Sequence, residues 1–535
     1  MLNRRVFIKS AAVTGATVLL DPWKSLWGYG ADPDYVGLHP FIELNPDAVF
    51  IMRTNVDNKK NTGTKKGVGF DFGRSVFKPV KDAESGYPLD FNIALKPNLT
   101  CRGKWDKNYT LERSMGVVTD AYFVEGLINS IKELGVAGKK FYIREVNCPE
   151  DFAEGGYDGV AARTGAELRN MSARVNVLEQ TDNNVQWMDV PDGVWFRRIP
   201  YLWPINAPDS WLLNISKFKT HAMGVTLCAK NLQGTIAHNY QQHCAAYNQN
   251  MDMSTHDINP TAKTDIKNNY DRHVADGIPR WDRPGQEGGL WMETWASRCL
   301  DNNSVTKPAL HIVEGLYGRD GHFIAGPGPG GLASDYMTNI IIFGKNQFNV
   351  DIIGHWLAGH EPGNFGLFHM AVERGLSVTV NPFDIPVYEW KSDGGATLKP
   401  LREFERFALK TMYLQKDYNG SNEPYWHMCE EPYDYKSTAV ERDRPSKPES
   451  FVLFQNYPNP FNASTSITFY LPQNGHVRLD IYNEYGQIVD RLADGLFAKG
   501  SHMVLWNNQY TASGVYYYTF NYAGFRQTRK MLLLR

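Results

Sequence analysis

Apolar residues recur along this chain in two rhythms. Over Asn92–Lys96 they form a short run that stops at Pro97-Asn98, as a buried strand does. Phe123, Val124, Leu127, Ile128, Ile131 and Leu134 then fall one, three or four apart, which places them on one face of a helix. Thr119 or Asp120 can cap that helix and Gly135 can end it, because a short polar side chain accepts from the first free amides and glycine tolerates the left-handed turn past the last one. Lys140–Val146 is the next strand. Strand, helix and strand in that order make a βαβ unit, whose right-handed crossover leaves the two strands parallel. Further strands are expected at Trp211–Ile215, Leu310–Glu314 and Asn339–Phe343, with helices at 160–172, 222–233, 289–300 and 365–375. This alternation predicts an α/β domain with a mostly parallel sheet flanked by helices.

The pattern changes at both ends. Residues 1–31 start with Arg4, Arg5 and Lys9, continue through the mildly apolar Ser10–Leu20 and break at Asp21-Pro22. Their length and flanks suit a signal peptide, cut near Gly28–Ala31, rather than a spanning helix. No apolar run reaches the roughly 18 residues that cross a bilayer, so the mature chain is expected without a transmembrane segment. Residues 433–450 are polar, charged and proline-punctuated, as a linker is. In 451–535, Ile467, Phe469 and Leu471 alternate with polar residues, as do Val477, Leu479 and Ile481. Val515–Tyr518 and Met531–Leu534 are further strands, and turns fall at Pro472–Gly475, Glu484–Gly486 and Ser513-Gly514. Short strands at this spacing predict a small all-β sandwich after the linker. The core domain is then 32–432, with an insertion at about 236–300.

Composition narrows the partners. At 535 residues, 42% hydrophobic and 21% charged, the chain is too apolar for a disordered polymer and long enough for two to four domains. Its net charge of −2 combines two basic ends, residues 1–30 and 451–535 at +3 each, with a body at −8. An acidic body argues against a nucleic-acid partner. The six cysteines form no CxxC pair, so no zinc knuckle or iron–sulfur cluster is expected. Cys101 and Cys148 lie just past the ends of two strands of one βαβ unit. They are candidates for a disulfide after export.

In open α/β sheets the ligand crevice lies beyond the carboxyl ends of the strands. That rule gathers Lys96 and Asn98 from the first strand, Glu145 from the second, Lys217, Lys219 and His221 from the third, and Asp320 beyond the fourth. Lys230 and Asn231 follow on a short helix and can reach back to the same anion. Lysines and a histidine beside carboxylates suit an anionic substrate with acid/base chemistry, or a metal ion; the alternative is lysines that project into solvent. His221 can move a proton near neutral pH or simply bond to backbone, with Glu145 or Asp320 orienting it. Asp351 and His355, four apart on a helix, are candidate ligands for a divalent metal, or a buried Asp–His pair. In the insertion, His238, His243, His256 and His273 have poor ligand spacing, while Trp281, Trp291 and Trp295 can stack on a sugar or pack in a core. Gly326–Gly331 lacks the residues of a phosphate loop.

Three segments also resemble known families. Arg4-Arg5 ahead of Phe7-Ile8-Lys9 resembles a twin-arginine export signal. Phe451–Asn462, Ile481–Gly486, Ser513–Tyr516 and Lys530-Met531 resemble the C-terminal sorting domain of type IX secretion substrates. That module is similar to the immunoglobulin-like domain of flagellar hook-capping proteins. In the core, Ala94–Asn98, Ser216–Gly234 and Asn349–Pro362 resemble the domain-of-unknown-function 362 family. Some members of it carry an iron–sulfur insert whose cysteine pattern is missing here. Gln347 stands where an acidic residue is expected ahead of Asp351, and Asp320-Gly321-His322 replaces a Gly-Pro turn. The resemblances imply the twin-arginine translocase and the type IX machinery as partners, and a secreted or cell-surface protein that passes the periplasm. For the core they imply a fold and a site rather than a reaction. The expectation is an enzyme binding a small or oligomeric anionic substrate. A non-catalytic surface protein binding a glycan, polymer or partner and a cofactor-loaded redox protein are the alternatives.

Overall fold

The computed structural model describes, apart from single positions, residues 35–80, 86–99, 116–145, 152–170, 185–221, 224–237, 257–279, 289–321, 326–411, 426–435 and most of 452–533. Two compact units meet in sequence between Thr438 and Ala439.

The larger unit is built on a ten-stranded sheet. Its strands are β1 (Val49–Arg53), β2 (Asn92–Pro97), β3 (Phe141–Glu145), β4 (Glu167–Asn170), β5 (Ser210–His221), β6 (Gly224–Thr226), β7 (Leu310–Asp320), β8 (Ser334–Gly344), β9 (Val387–Trp390) and β10 (Ala396–Leu398). They lie in the order β10-β9-β1-β8-β7-β5-β2-β3-β4, with β6 folded back on the end of β5. Five pairings are parallel and four antiparallel, so the sheet is mixed where a mostly parallel one was expected. The departure begins at β7, which turns directly into antiparallel β8 instead of crossing over through a helix. β2 is buried at every position, as strands covered on both faces are.

Helices α1 (Thr62–Val76), α2 (Ala121–Lys132) and α3 (Tyr157–Thr164) precede β5 in the chain. Asp120 caps α2 by accepting from the amides of Tyr122 and Phe123, as its position promised. Phe72 of α1 packs on both Phe123 of α2 and Phe343 of β8, which places both helices on one face of the sheet. On the other face α4 (Cys228–Asn231), α6 (Leu290–Val305), α7 (Gln347–Leu357) and α8 (Gly366–Glu373) share a core with Phe218, Val313 and Ile342. α5 (Ala262–Ala275) packs beside α6.

Two expected helices change character. Residues 160–172 divide into α3, stopped by Gly165 at φ 80°, and strand β4. In 222–233 the β-branched Val225 and Thr226 pair back on Thr220 and Lys219 as β6 before a single turn of helix forms at α4.

The smaller unit is all-β. A three-stranded sheet joins β11 (Val452–Leu453), β12 (Ser464–Leu471) and β15 (Gly500–Asn507). A four-stranded sheet joins β13 (Gly475–Asn483), β14 (Ile488–Phe497), β16 (Gly514–Tyr522) and β17 (Phe525–Leu533). All of these pairings are antiparallel, and Ile467, Phe469, Leu479, Trp506 and Tyr518 share one core. Among the described residues no helix is long and apolar enough to cross a membrane.

Candidate functional site

Side chains alternate across a strand, and along β5 this divides the expected cluster. Asn214 and Ser216 face α4, while Lys217 belongs with Glu314 and Tyr317 on the side of α1 and α2. The lysines therefore form two clusters, one on each face, rather than the single converging group read from the sequence.

The first cluster is built on Lys96 at the end of β2. Its Nζ lies 2.7 Å from Glu145 Oε2, 2.7 Å from Pro97 O and 3.1 Å from Asn231 Oδ1. Three acceptors use all three hydrogens of an ammonium. Burial pulls the basicity of Lys96 down, Glu145 pushes it back up, and the charge of Lys230 lowers it further. Glu145 also accepts from the amide of Leu99 at 3.1 Å. Gly234 closes the cluster, since a Cβ there would collide with Glu145 Oε1 and Lys96 Cε. Asn231 bonds back to Lys96 O and to Asn214, and Asn98 bonds to Asn231. Thus Lys96, Asn98, Glu145 and Asn231 come together, with Lys230 close enough to act on Lys96 through its charge.

The second cluster lies on the opposite face. Lys217 Nζ is 2.9 and 2.8 Å from the two oxygens of Glu314 and sits 4.2 Å from the ring centre of Tyr317. Tyr317 donates to Asp120, which also receives Lys65 Nζ at 2.8 Å. The amide of Asp120 donates to Glu314 at 2.9 Å. Burial raises the carboxyl of Glu314, partly offset by Lys217, and pushes the Tyr317 phenol far above its ordinary range. Lys219 donates to the backbone oxygen of Val117. Residues 98 and 119 join the two clusters over the end of the sheet. Thr119 Oγ1 accepts from Asn98 N and donates to Ile215 O, and Tyr157 donates to Thr119 O.

The remaining candidates hold structure together. Asp320 accepts from the amide of Lys410 at 2.8 Å, and burial raises its carboxyl. Asp351 accepts from the first two amides of α4, Cys228 N at 2.7 Å and Ala229 N at 2.8 Å. Burial raises it to about 7 against those bonds. His355 Nδ1 meets Asp351 O at 3.1 Å, and its ring stacks on Phe365. Burial lowers its pKa to about 3, so the ring is neutral. Asp351 and His355 thus cap α4 and fill a core rather than face one ion, and among the described residues no three metal-ligating side chains form a group. Trp291 and Trp295 are buried core residues, so of the two alternatives they take core packing. His221 pairs through its backbone with Gly224; its side chain lies outside the described residues. Cys101, Cys148, His238, His243, His256 and Trp281 lie outside them too. Cys228, Cys299 and Cys429 are buried free thiols.

Sequence reasoning did not find Lys65, Asn214, Glu314 or Tyr317, and saw Asp120 only as a cap. Lys65 and Tyr317 come together across 252 positions of sequence, and no local pattern marks such a pair. Glu314 carried a usable signal: it ends the apolar run Leu310–Glu314, as Lys96 ends its own, although β7 continues to Asp320.

An α/β core whose buried charges gather at the carboxyl edge of a mixed sheet is the class that this geometry defines. Residues 93–355 match the family model described as Domain of unknown function (DUF362), and this match spans the elements that carry both clusters except α1 with Lys65. No curated protein matches. PorZ, a bacterial surface component of the type-IX secretion system of Porphyromonas gingivalis, is similar at 17% identity over 16% of this chain and 11% of its own, with a TM-score of 0.13. A score that low carries no argument about fold or function.

Proposed function

We propose that this chain is an enzyme that binds a small or oligomeric anionic substrate at the carboxyl edge of the sheet, with Lys96 and Lys230 supplying the positive field. The observation that carries this reading is the Lys96–Glu145 pair, buried and 2.7 Å apart at the ends of adjacent parallel strands, with the charge of Lys230 beside it. Burying ions costs several kcal/mol each, and well-packed apolar residues commonly serve stability as well. Their concentration where α/β sheets bind ligands therefore favours function. In this reading Glu145 exchanges between Lys96 and substrate, and His221 transfers the proton, while Lys217 stays paired with Glu314 on the opposite face.

Calorimetric titration of the full chain with inorganic phosphate and citrate tests it. The wild type should bind at least one of the two, and Lys230→Gln should weaken that binding about tenfold. Binding of neither, or no effect of Lys230→Gln, refutes the reading. His221→Ala should abolish turnover while the melting curve is retained.

A second reading, a surface protein that binds a polar polymer, is favoured by a different feature. A concavity of about 430 Å³ is lined by Asp189, Phe196, Arg197, Arg198, Asp257 and Asn259, among others, a size suited to a small ligand. For delivery, we read residues 1–31 as a twin-arginine signal and the smaller β-unit as an immunoglobulin-like sorting module for type IX secretion. The sequence motifs and the two antiparallel sheets support this. In a native exporter, Arg4→Lys with Arg5→Lys should hold the protein in the cytoplasm, and deletion of 451–535 should hold it in the periplasm.

A further inference from the structure

One ammonium sets the direction of a whole chain of amides in the first cluster. Lys96 Nζ can only donate, so the Asn231 atom it meets at 3.1 Å is the carboxamide oxygen. The backbone oxygen of Lys96 can only accept, so the Asn231 atom it meets at 3.0 Å is Nδ2. The assignment then runs both ways from Asn231. Its Nδ2 also meets Asn214 at 2.7 Å, which fixes an oxygen there. The amide nitrogen of Asn214 is left to donate to Cys228 O at 3.0 Å and to His311 Nδ1 at 3.1 Å. Burial lowers the pKa of His311 to about 3, so its ring is neutral and this nitrogen is free to accept. In the other direction, Asn98 lies 3.1 Å from Asn231 Oδ1 and has to present its Nδ2. Turning the amide of Asn98 over would set two oxygens against each other.

The atom left at the end of the chain is Asn98 Oδ1. It is an acceptor, it is buried, and it has no donor. Nearly all buried polar atoms are paired, so this one needs an explanation. The backbone of Asn98 is fixed by Thr119, whose Oγ1 accepts from Asn98 N and whose N–H donates to Asn98 O, both at 2.8 Å, and its carboxamide is held by the Nδ2 bond to Asn231. His311, Asn214 and Asn231 together therefore hold one acceptor at a fixed place beside Lys96.

We infer that Asn98 Oδ1 accepts a hydrogen bond from a hydroxyl group of the ligand, so that the substrate is a hydroxylated anion: a hydroxy acid, or a phosphate ester of a polyol. The inference rests on the anion site proposed above and adds the second group that the ligand carries. A fixed acceptor discriminates strongly, because an analogue without the hydroxyl leaves the oxygen unpaired. Asn214 is a positioning residue: it acts only through Asn231.

Paired probes separate this inference from the reading it rests on. The full chain is titrated calorimetrically with glycerol 3-phosphate against propyl phosphate, and with malate against succinate. The hydroxylated member of at least one pair should bind about tenfold tighter or more. Asn98→Ala should bring that preference close to one. Asn214→Ser should reduce the preference without abolishing binding. Equal affinities within both pairs overturn the hydroxyl inference and leave the anion site standing. Binding of none of the four overturns both. The wild-type comparison decides the matter even where a variant fails to fold.

Discussion

Lys96 gives all three of its hydrogens to protein acceptors, and one of them, Glu145, has its other duties in the same cluster. Removing the carboxylate leaves a buried ammonium with no counter-charge. Glu145→Gln should therefore cost about 3–5 kcal/mol of unfolding free energy, read from urea denaturation. The double replacement Lys96→Met with Glu145→Leu should recover most of that loss, since the charges and their desolvation leave together. A double variant as unstable as Glu145→Gln would show that the cluster stabilises the fold through more than its charge balance. Lys96, Asn98 and Glu145 were legible because strand ends are recognisable from short apolar runs. Their division from Lys217 and Lys219 was not. It depends on which face each strand turns toward α1 and α2, and that is settled by packing between segments far apart in sequence.

At the scale of elements, α5, α6 and α8 are tied by one imidazole. His273 Nδ1 lies 2.9 Å from Glu293 Oε2, and its Nε2 lies 2.9 Å from Glu373 Oε2. Carboxylate oxygens only accept, so both ring nitrogens carry protons. Burial lowers the basicity of His273, but the bonds to the two glutamates outweigh it and raise the pKa to about 9. Glu373 is held down to about 2 by His273 and Arg272 against its own burial. The folded pKa of His273 exceeds the unfolded value of roughly 6.5, so the clamp stabilises fully below that pH and is lost as pH rises through about 9. Unfolding free energies of the wild type and His273→Gln from urea denaturation should differ by on the order of 2–3 kcal/mol at pH 6 and converge above pH 9. A difference that persists unchanged at pH 10 would mean that packing, not charge, joins these helices. The elements themselves were unevenly legible. α2 showed a clear apolar stripe, whereas α1 carries Gly63, Gly67, Gly69 and Gly73, and each glycine weakens a helix by about 1 kcal/mol. Two of them are contact points: a Cβ on Gly69 would strike the backbone of Phe123, and one on Gly73 the hydroxyl of Ser130. The residues that hide this helix in the sequence are those that let it lie against α2.

At the scale of the whole molecule, the two units carry separate hydrophobic cores. One holds Val313, Ile342 and Trp295, and the other Ile467, Phe469 and Trp506. The strands of the smaller unit were legible where apolar and polar residues alternate strictly, as in β12 and β13. They were hidden in β14 and β15, which leave Ile488, Leu496 and Leu505 exposed and so blur the alternation. A core that closes within one unit should melt with that unit. Scanning calorimetry of the full chain should thus show two transitions, the one from the roughly hundred-residue β-unit having an enthalpy of about 60–80 kcal/mol. Deleting 439–535 should remove that transition and shift the other by no more than about 2 °C, because the larger unit closes a hydrophobic core of its own. A single transition in the full chain that moves by ten degrees or more on deletion would show instead that the β-unit contributes to the stability of the sheet that carries the Lys96–Glu145 pair. In that case its role would extend beyond that of an appended module.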